Sequence, residues 1–285
     1  MDIIANDASG LTQLQELHRK HGGQHLAVTL QLPDTPEAIL DLLQTRLWPD
    51  AVPSSMIVKD DQGKKIRAMS VISSFVREPL AGKKFLDFGC EAGQCVTEAI
   101  KQGAVALGYD AVPSPSWNSN ECTDSLAVVD AAGPFDVILA YDVFDHITDN
   151  KTRFSMLKKL RGWLAPGGTV YARCHPYTSR HGTHLYYKLN KAYAHLLLPK
   201  EYEGGIPTAE ILAPVATYTK WFQDSGFQVA KQVFTRQDPE PFFNGLQNLL
   251  IKRVAPGNRY VQDAQTLNSV LGIQFVDYEL KHHPQ

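Results

Sequence analysis

The chain has 285 residues, enough for one large α/β domain with extensions, and 44% of them are hydrophobic, an ordinary share for a globular protein. A formal net charge of −2 and a pI near 6.5 provide no global basic field to draw in nucleic acid. No apolar run approaches the roughly 20 residues of a membrane helix, Met1-Asp2-Ile3-Ile4 lacks the features of a signal peptide, and the four cysteines form no Cys-x-x-Cys pair, so a soluble, cytoplasmic protein with free thiols is expected.

Residues 1–80 read as a helical N-terminal cap. Thr35-Pro36-Glu37 is a helix start, with Thr as cap and Pro in the first turn. Ile39, Leu43 and Leu47 follow at helical spacing, and Trp48-Pro49 ends the run. Ile66, Met69, Ile72 and Phe75 mark a second helix that stops before Pro79.

From residue 81 the pattern alternates. A strand at 83–88 leads through Asp87-Phe88-Gly89-Cys90-Glu91-Ala92-Gly93 into a helix at 93–102. A strand at 104–109 ends at Asp110, a loop rich in Pro, Ser and Asn covers 111–121, and a short strand is expected near 121–123. A strand at 135–141, a helix at 151–164 and a strand at 168–174 follow. Strand–helix alternation of this kind implies a parallel sheet covered by helices on both faces. Segments 226–236 and 247–254 read as two further strands, 176–216 as an insertion whose helix spans 185–198, and 255–285 as a C-terminal tail with a helix at 262–271.

Strand, glycine turn, helix, strand and acid is the layout of a nucleoside-binding βαβ unit. A dinucleotide fingerprint would need Gly-x-Gly-x-x-Gly to cradle a pyrophosphate. Here Glu91 occupies the middle glycine position, where a carboxylate repels phosphate. Asp87, just before the first glycine, suits a ligand carrying ammonium and sulfonium groups. Leu86 to Gly93 resembles the first motif of the S-adenosylmethionine-dependent methyltransferases with a Rossmann-like fold, which often reads Leu-Asp-x-Gly-Cys-Gly-x-Gly. Gly108-Tyr109-Asp110 matches the second motif. Phe135 to Ile147 looks like the fourth strand and its acidic turn, Leu164 to Val170 like the Pro-Gly-Gly turn and fifth strand, and Trp221 to Phe227 like the helix before the final hairpin. The resemblance covers roughly residues 80 to 254 and implies a mostly parallel seven-stranded sheet with an antiparallel edge hairpin, in a domain of 81–254 that binds S-adenosyl-L-methionine.

The resemblance also implies site residues. Asp87, Gly89 and Gly93 form the donor set, Asp110 anchors the ribose, Asp124 lies near the adenine, and Asp142 faces the donor or the acceptor. Asp124 reads equally as a helix N-cap. His146 follows the fourth strand and could act as a base, since a free histidine titrates near neutrality, or Asp145-His146 could simply cap the turn. Past the fifth strand, His175, Tyr177, Arg180, His181 and His184 gather in the insertion 176–216 and just before it. This cluster admits three readings. The first is an acceptor pocket in which a histidine is the base and Tyr177 and Arg180 bind the substrate; the second is a metal site; the third is a loop with satisfied histidines. The expected activity is methyl transfer to oxygen or nitrogen of a small polar or sugar-like molecule. The alternatives are a non-catalytic member of the fold and an RNA or protein methyltransferase.

Overall fold

The computed structural model describes residues 3–5, 28–30, 35–44, 48–52, 61–118, 120–147, 149–176, 179–181, 188–198, 215–236 and 272–283. In chain order the elements are β1 (Ile3–Ala5), β2 (Val28–Leu30), α1 (Pro36–Gln44), α2 (Asp61–Ser70), a π-helical turn (Val71–Phe75), β3 (Lys84–Phe88), α3 (Gln94–Lys101), β4 (Val105–Tyr109), β5 (Cys122–Thr123), α4 (Leu126–Ala132), β6 (Phe135–Tyr141), α5 (Asn150–Trp163), β7 (Leu164–Cys174), α6 (Ala194–Leu197), α7 (Val215–Asp224), β8 (Phe227–Arg236) and β9 (Ile273–His282). They fall into two compact units: residues 1–57, 176–208 and 235–274 form the first, and 58–175, 209–234 and 275–285 the second. Among the described residues no helix is long and apolar enough to cross a membrane.

The first unit joins three stretches that the sequence separates widely. β1 and β2 pair in parallel. Thr35 starts α1 as its composition predicts, its hydroxyl accepting the Ala38 amide at 3.3 Å. Ile39 and Leu43 are fully buried. The segment 48–52 is then stitched to 190–193. Asn190 donates to the Val52 carbonyl at 2.8 Å and accepts its amide at 3.0 Å. The Trp48 indole donates to Ala192 O at 2.9 Å. The end of the expected 185–198 helix is present as α6, whereas 188–193 is irregular and 182–187 lies outside the described residues. Asn190 lies in this irregular stretch, its side chain bonded to the Val52 backbone.

The second unit is a seven-stranded sheet of order β5-β4-β3-β6-β7-β9-β8. β3 pairs in parallel with β4 and β6, and β6 with β7. Strand order therefore reverses on the two sides of β3, which creates a crevice outside the carboxyl ends of β3 and β6. Phe85, Val137, Ile138, Leu139, Ala140, Val170 and Ala172 are fully buried, as strands covered on both faces require.

Two features depart from the sequence reading. Ile72 and Phe75 are buried as read, but Ile66 and Met69 are 59% and 53% exposed, and Ala68 and Val71 are buried in their place. The π-helical turn adds a residue to the turn, so the apolar face beyond it is not continuous with one drawn at a constant helical period. The strand antiparallel to β7 is β9, within the segment read as a tail, with Arg173 opposite Asp277. The strand expected at 247–254 and the helix at 262–271 lie outside the described residues.

Candidate active site at the carboxyl ends of the strands

The glycine loop after β3 is held against β4. Gly89 N and Cys90 N both donate to Tyr109 O, at 2.7 and 3.1 Å. Asp110 accepts the Glu91 amide at 2.9 Å and the Val112 amide at 3.0 Å, one on each carboxylate oxygen. Gly89 and Gly93 adopt left-handed conformations with φ of +87° and +80°. A Cβ on Gly89 would lie 2.5 Å from Val143 Cγ2, and one on Gly93 would lie 2.9 Å from Cys122 Sγ. The loop is thus a cradle that only glycine permits at these two positions.

Glu91 also has positive φ, +47°. Its backbone is secured by Asp110 and by the Trp117 indole, which donates to Glu91 O at 2.6 Å. Its carboxylate is turned onto α2, with Lys64 Nζ at 2.5 Å and an Arg67 nitrogen at 3.5 Å. These partners were missed in sequence, because a loop acid and a helix 24 or more residues away reveal their pairing only in the fold.

Asp87 is buried next to the loop. Burial, reinforced by the neighbouring Asp110, pushes its carboxyl up to about 7. Among the described residues this buried acid has no ion-pair partner, a setting that fits a positively charged ligand group. Asp124 is exposed at the end of β5, and Asp110 N donates to Thr123 O at 3.2 Å, so the two acids end adjacent strands. Ser125, not Asp124, occupies the cap position of α4. Cys90, Cys95, Cys122 and Cys174 are free thiols.

Across the crevice, Asp142 ends β6 with φ of +56°, its amide donating to Arg173 O at 3.2 Å. Its Oδ1 lies 3.0 Å from His175 Nε2. Burial opposes charge on His175, but the Asp142 carboxylate outweighs it and the imidazole is pushed up to about 9. Burial likewise favours the neutral form of Asp142, and His175 outweighs it to hold the carboxyl below its ordinary value. Arg173 makes a bidentate pair with Asp277, at 2.6 and 2.8 Å, and donates to the Tyr141 hydroxyl at 2.5 Å. Phe275 packs edge-on to His175 with centroids 4.9 Å apart, and Tyr218 donates to the His175 carbonyl at 3.0 Å.

Asp145, in the turn after β6, is 1% exposed, and α5 takes Asp149 as its cap, the carboxylate accepting Thr152 N at 2.6 Å. His146 is exposed.

The remaining cluster residues divide. His175 belongs to the sheet unit, whereas Arg180 and His181 belong to the first unit and are engaged there. In sequence, Arg180 reads as a substrate-binding residue. Its Nε and one terminal nitrogen instead donate to the Asp50 carbonyl at 3.0 and 2.7 Å, a buried clamp on the backbone. His181 Nδ1 lies 3.0 Å from Gln274 Oε1. Among the described residues no group of three or more His, Cys, Asp or Glu side chains is arranged to hold a metal ion. Tyr177 and His184 lie outside the described residues.

A methyltransferase-domain family model matches residues 62–232. The chain belongs to this family. The matched segment lies on the Rossmann-like sheet and spans both the glycine loop and the Asp142–His175 pair. Over 105 residues this methyltransferase is 29% identical to a ubiquinone biosynthesis O-methyltransferase of Brucella ovis and 30% identical to one of Parvibaculum lavamentivorans. Those alignments take in 33% of this chain and 41% and 40% of the two relatives, so the chain spans less than half the length of the curated proteins it matches. A solved S-adenosylmethionine-dependent methyltransferase from Archaeoglobus fulgidus is similar with a TM-score of 0.47 and 15% identity, covering 77% of this chain and 95% of that one.

Proposed function

We propose that this methyltransferase acts on oxygen or nitrogen of a small polar or sugar-like acceptor, with a hydroxyl oxygen the first atom to test. One observation carries the reading: a glycine cradle closed to any Cβ lies among three strand-end acids, Asp87, Asp110 and Asp142. Bound S-adenosylmethionine supplies a methyl group activated by positive sulfur. Asp110 would accept hydrogen bonds from ribose hydroxyls on the lone pairs left by the Glu91 and Val112 amides. Asp87 and Asp142 would face cationic groups, and Asp124 would border the nucleoside from β5. His175, protonated through neutral pH by its pairing with Asp142, would donate a hydrogen bond and not act as the base. Among the described residues, His146, exposed on the turn after β6, is the base candidate. The partial likeness to O-methyltransferases of ubiquinone biosynthesis supports oxygen over nitrogen.

Calorimetry with S-adenosylmethionine, its demethylated product and NAD tests the site. Transfer of labelled methyl to a panel of phenols, hydroxy acids, sugars and amines then tests the acceptor class. Binding of NAD without either sulfur nucleoside overturns the site reading. Label on amines alone overturns the preference for oxygen. Donor binding with no transfer to any acceptor favours a non-catalytic member of the fold, a reading that Glu91 in the glycine loop keeps in view.

A further inference from the structure

Tyr141 ends β6 beside the glycine loop. Asp87 of β3 stands in register with Leu139 of β6, and side chains two residues apart on a strand share a face. Tyr141 therefore lies on the same face of the sheet as Asp87, further toward the carboxyl end. Two residues on, Val143 is the side chain that a Cβ on Gly89 would strike. Phe75 packs edge-on to the Tyr141 ring, with centroids 5.4 Å apart. The Tyr141 hydroxyl oxygen accepts from Arg173 Nη1 at 2.5 Å. The rest of that guanidinium is spent on Asp277, with Nε and Nη2 donating at 2.6 and 2.8 Å. The rings of Phe75, Tyr141 and Phe275 enclose it, 5.1, 4.8 and 4.7 Å from its central carbon. Tyr141 itself is half-buried, and among the described residues nothing accepts its hydroxyl proton. Burial, with Asp142 beside it, raises the phenol above its ordinary value against the pull of Arg173 and Arg67. At neutral pH the hydroxyl thus keeps its proton and is a donor, not a base.

We propose that Tyr141 is a ligand-binding residue that donates its hydroxyl proton to a carboxylate oxygen in the crevice, with Arg173 and Asp277 as positioning residues that aim it. The inference rests on the reading of this crevice as the donor site and deepens it. The amino-acid end of S-adenosylmethionine carries an ammonium and a carboxylate together. The strand-end acids suit its cations and repel its carboxylate, so the carboxylate needs a hydrogen-bond donor close to Asp87. Tyr141, on the same face, is that donor. A hydroxyl that already accepts from a guanidinium donates its own proton more strongly. The bidentate Arg173–Asp277 pair fixes the guanidinium, and the guanidinium fixes the hydroxyl. An acceptor molecule bearing a carboxylate presents the same chemistry, and the test separates the two sources.

The test is calorimetry on the full-length protein with two probes. The demethylated donor product carries the carboxylate; methylthioadenosine keeps the nucleoside and sulfur but lacks the amino-acid end. Tyr141→Phe, which removes one oxygen and keeps the ring, should weaken the product about tenfold or more and leave methylthioadenosine unchanged. Asp277→Asn should show the same selective loss. The double variant should bind the product no worse than Tyr141→Phe alone, because both substitutions remove one hydrogen bond. Additive losses overturn the positioning role of Asp277. Benzoate titrated into protein saturated with the product reads the other source: binding lost in Tyr141→Phe while product affinity holds assigns the carboxylate to the acceptor. Tyr141→Phe equal to wild type with both product and benzoate overturns the proposal, as does an equal loss for product and methylthioadenosine. Failure of the wild type to bind either sulfur nucleoside overturns the donor reading instead. Benzoate titrated into the free protein then decides on Tyr141, and no difference between Tyr141→Phe and wild type overturns its role.

Discussion

Asp110 Oδ2 accepts the backbone amide of Glu91 at 2.9 Å, so the acid that ends β4 holds the glycine loop that ends β3. Its other oxygen holds Val112 N at 3.0 Å, which fixes the start of the following loop. One side chain thereby ties the two walls of the proposed donor site together. Asp110→Ala should weaken donor binding by about 1.5–3 kcal/mol, the scale of hydrogen bonds to a charged group. The sheet should survive, because Asp110 lies beyond the buried strand residues. Calorimetry on variant protein with a normal circular dichroism spectrum checks this, and an unchanged affinity would remove Asp110 from the site.

Asp87 should make donor binding depend on pH. Its folded-state value of about 7 lies above the ordinary 3.8, so free folded protein binds a proton that the unfolded chain releases. The sign is opposite to that of a salt-bridged acid: this group costs stability increasingly as pH rises from about 4 to 7. A cationic donor favours the ionised carboxylate and should displace the proton. Affinity should then rise with pH by up to about tenfold per unit below pH 7 and level off above it. Calorimetry at pH 6 in buffers of different ionisation heat should detect proton release. Asp87→Asn should abolish that release, and equal release in the variant would assign the proton elsewhere.

Local pattern reached the parts of this fold that local chemistry determines. Thr35 capped its helix, the apolar runs around Leu86, Leu107 and Ile138 became β3, β4 and β6, and glycines in a strand-to-helix turn marked the cradle. What escaped depends on register between distant segments. Gln247 to Val254 and Ile273 to Leu280 are both short, mixed apolar runs, and nothing within either one says which pairs with β7. Asp277 becomes the partner of Arg173 only once that register is set. Similarly, Arg180 beside three histidines suggests anion binding in sequence, while the Asp50 carbonyl that takes its guanidinium lies 130 positions earlier.

Gly89 offers a stability test of the cradle. An alanine there meets two penalties: left-handed φ, worth about 1–2 kcal/mol for an L-residue, and a Cβ 2.5 Å from Val143 Cγ2. Gly89→Ala should lower the urea midpoint clearly. Adding Val143→Ala removes the clash but not the backbone strain, so the pair should be less destabilised than the sum of the two single variants. Strict additivity would show that Val143 is not what closes the cradle.

Glu91 is the residue whose sequence most suggested a defective donor loop, and its geometry argues otherwise. The φ of +47° costs an L-residue about 1 kcal/mol. Against this stand the contacts with Lys64 and Arg67, which for a side chain 57% exposed contribute about 0–1 kcal/mol. Glu91→Gly removes the strain and the ion pairs together and gives the unfolded chain more freedom. Its stability should therefore lie within about 1 kcal/mol of wild type. Glu91→Gln retains the strain and loses only the charge, so it should be the less stable of the two at low salt. The backbone contacts to Asp110 and Trp117 do not involve the side chain and persist in both. Donor affinity should accordingly be preserved in Glu91→Gly, and the salt dependence of melting should be weaker than in wild type. Melting curves from low to high salt, with calorimetry of donor binding, read both quantities. Loss of donor binding in a folded Glu91→Gly protein would mean that the carboxylate itself, and not only the backbone it sits on, takes part in holding the donor.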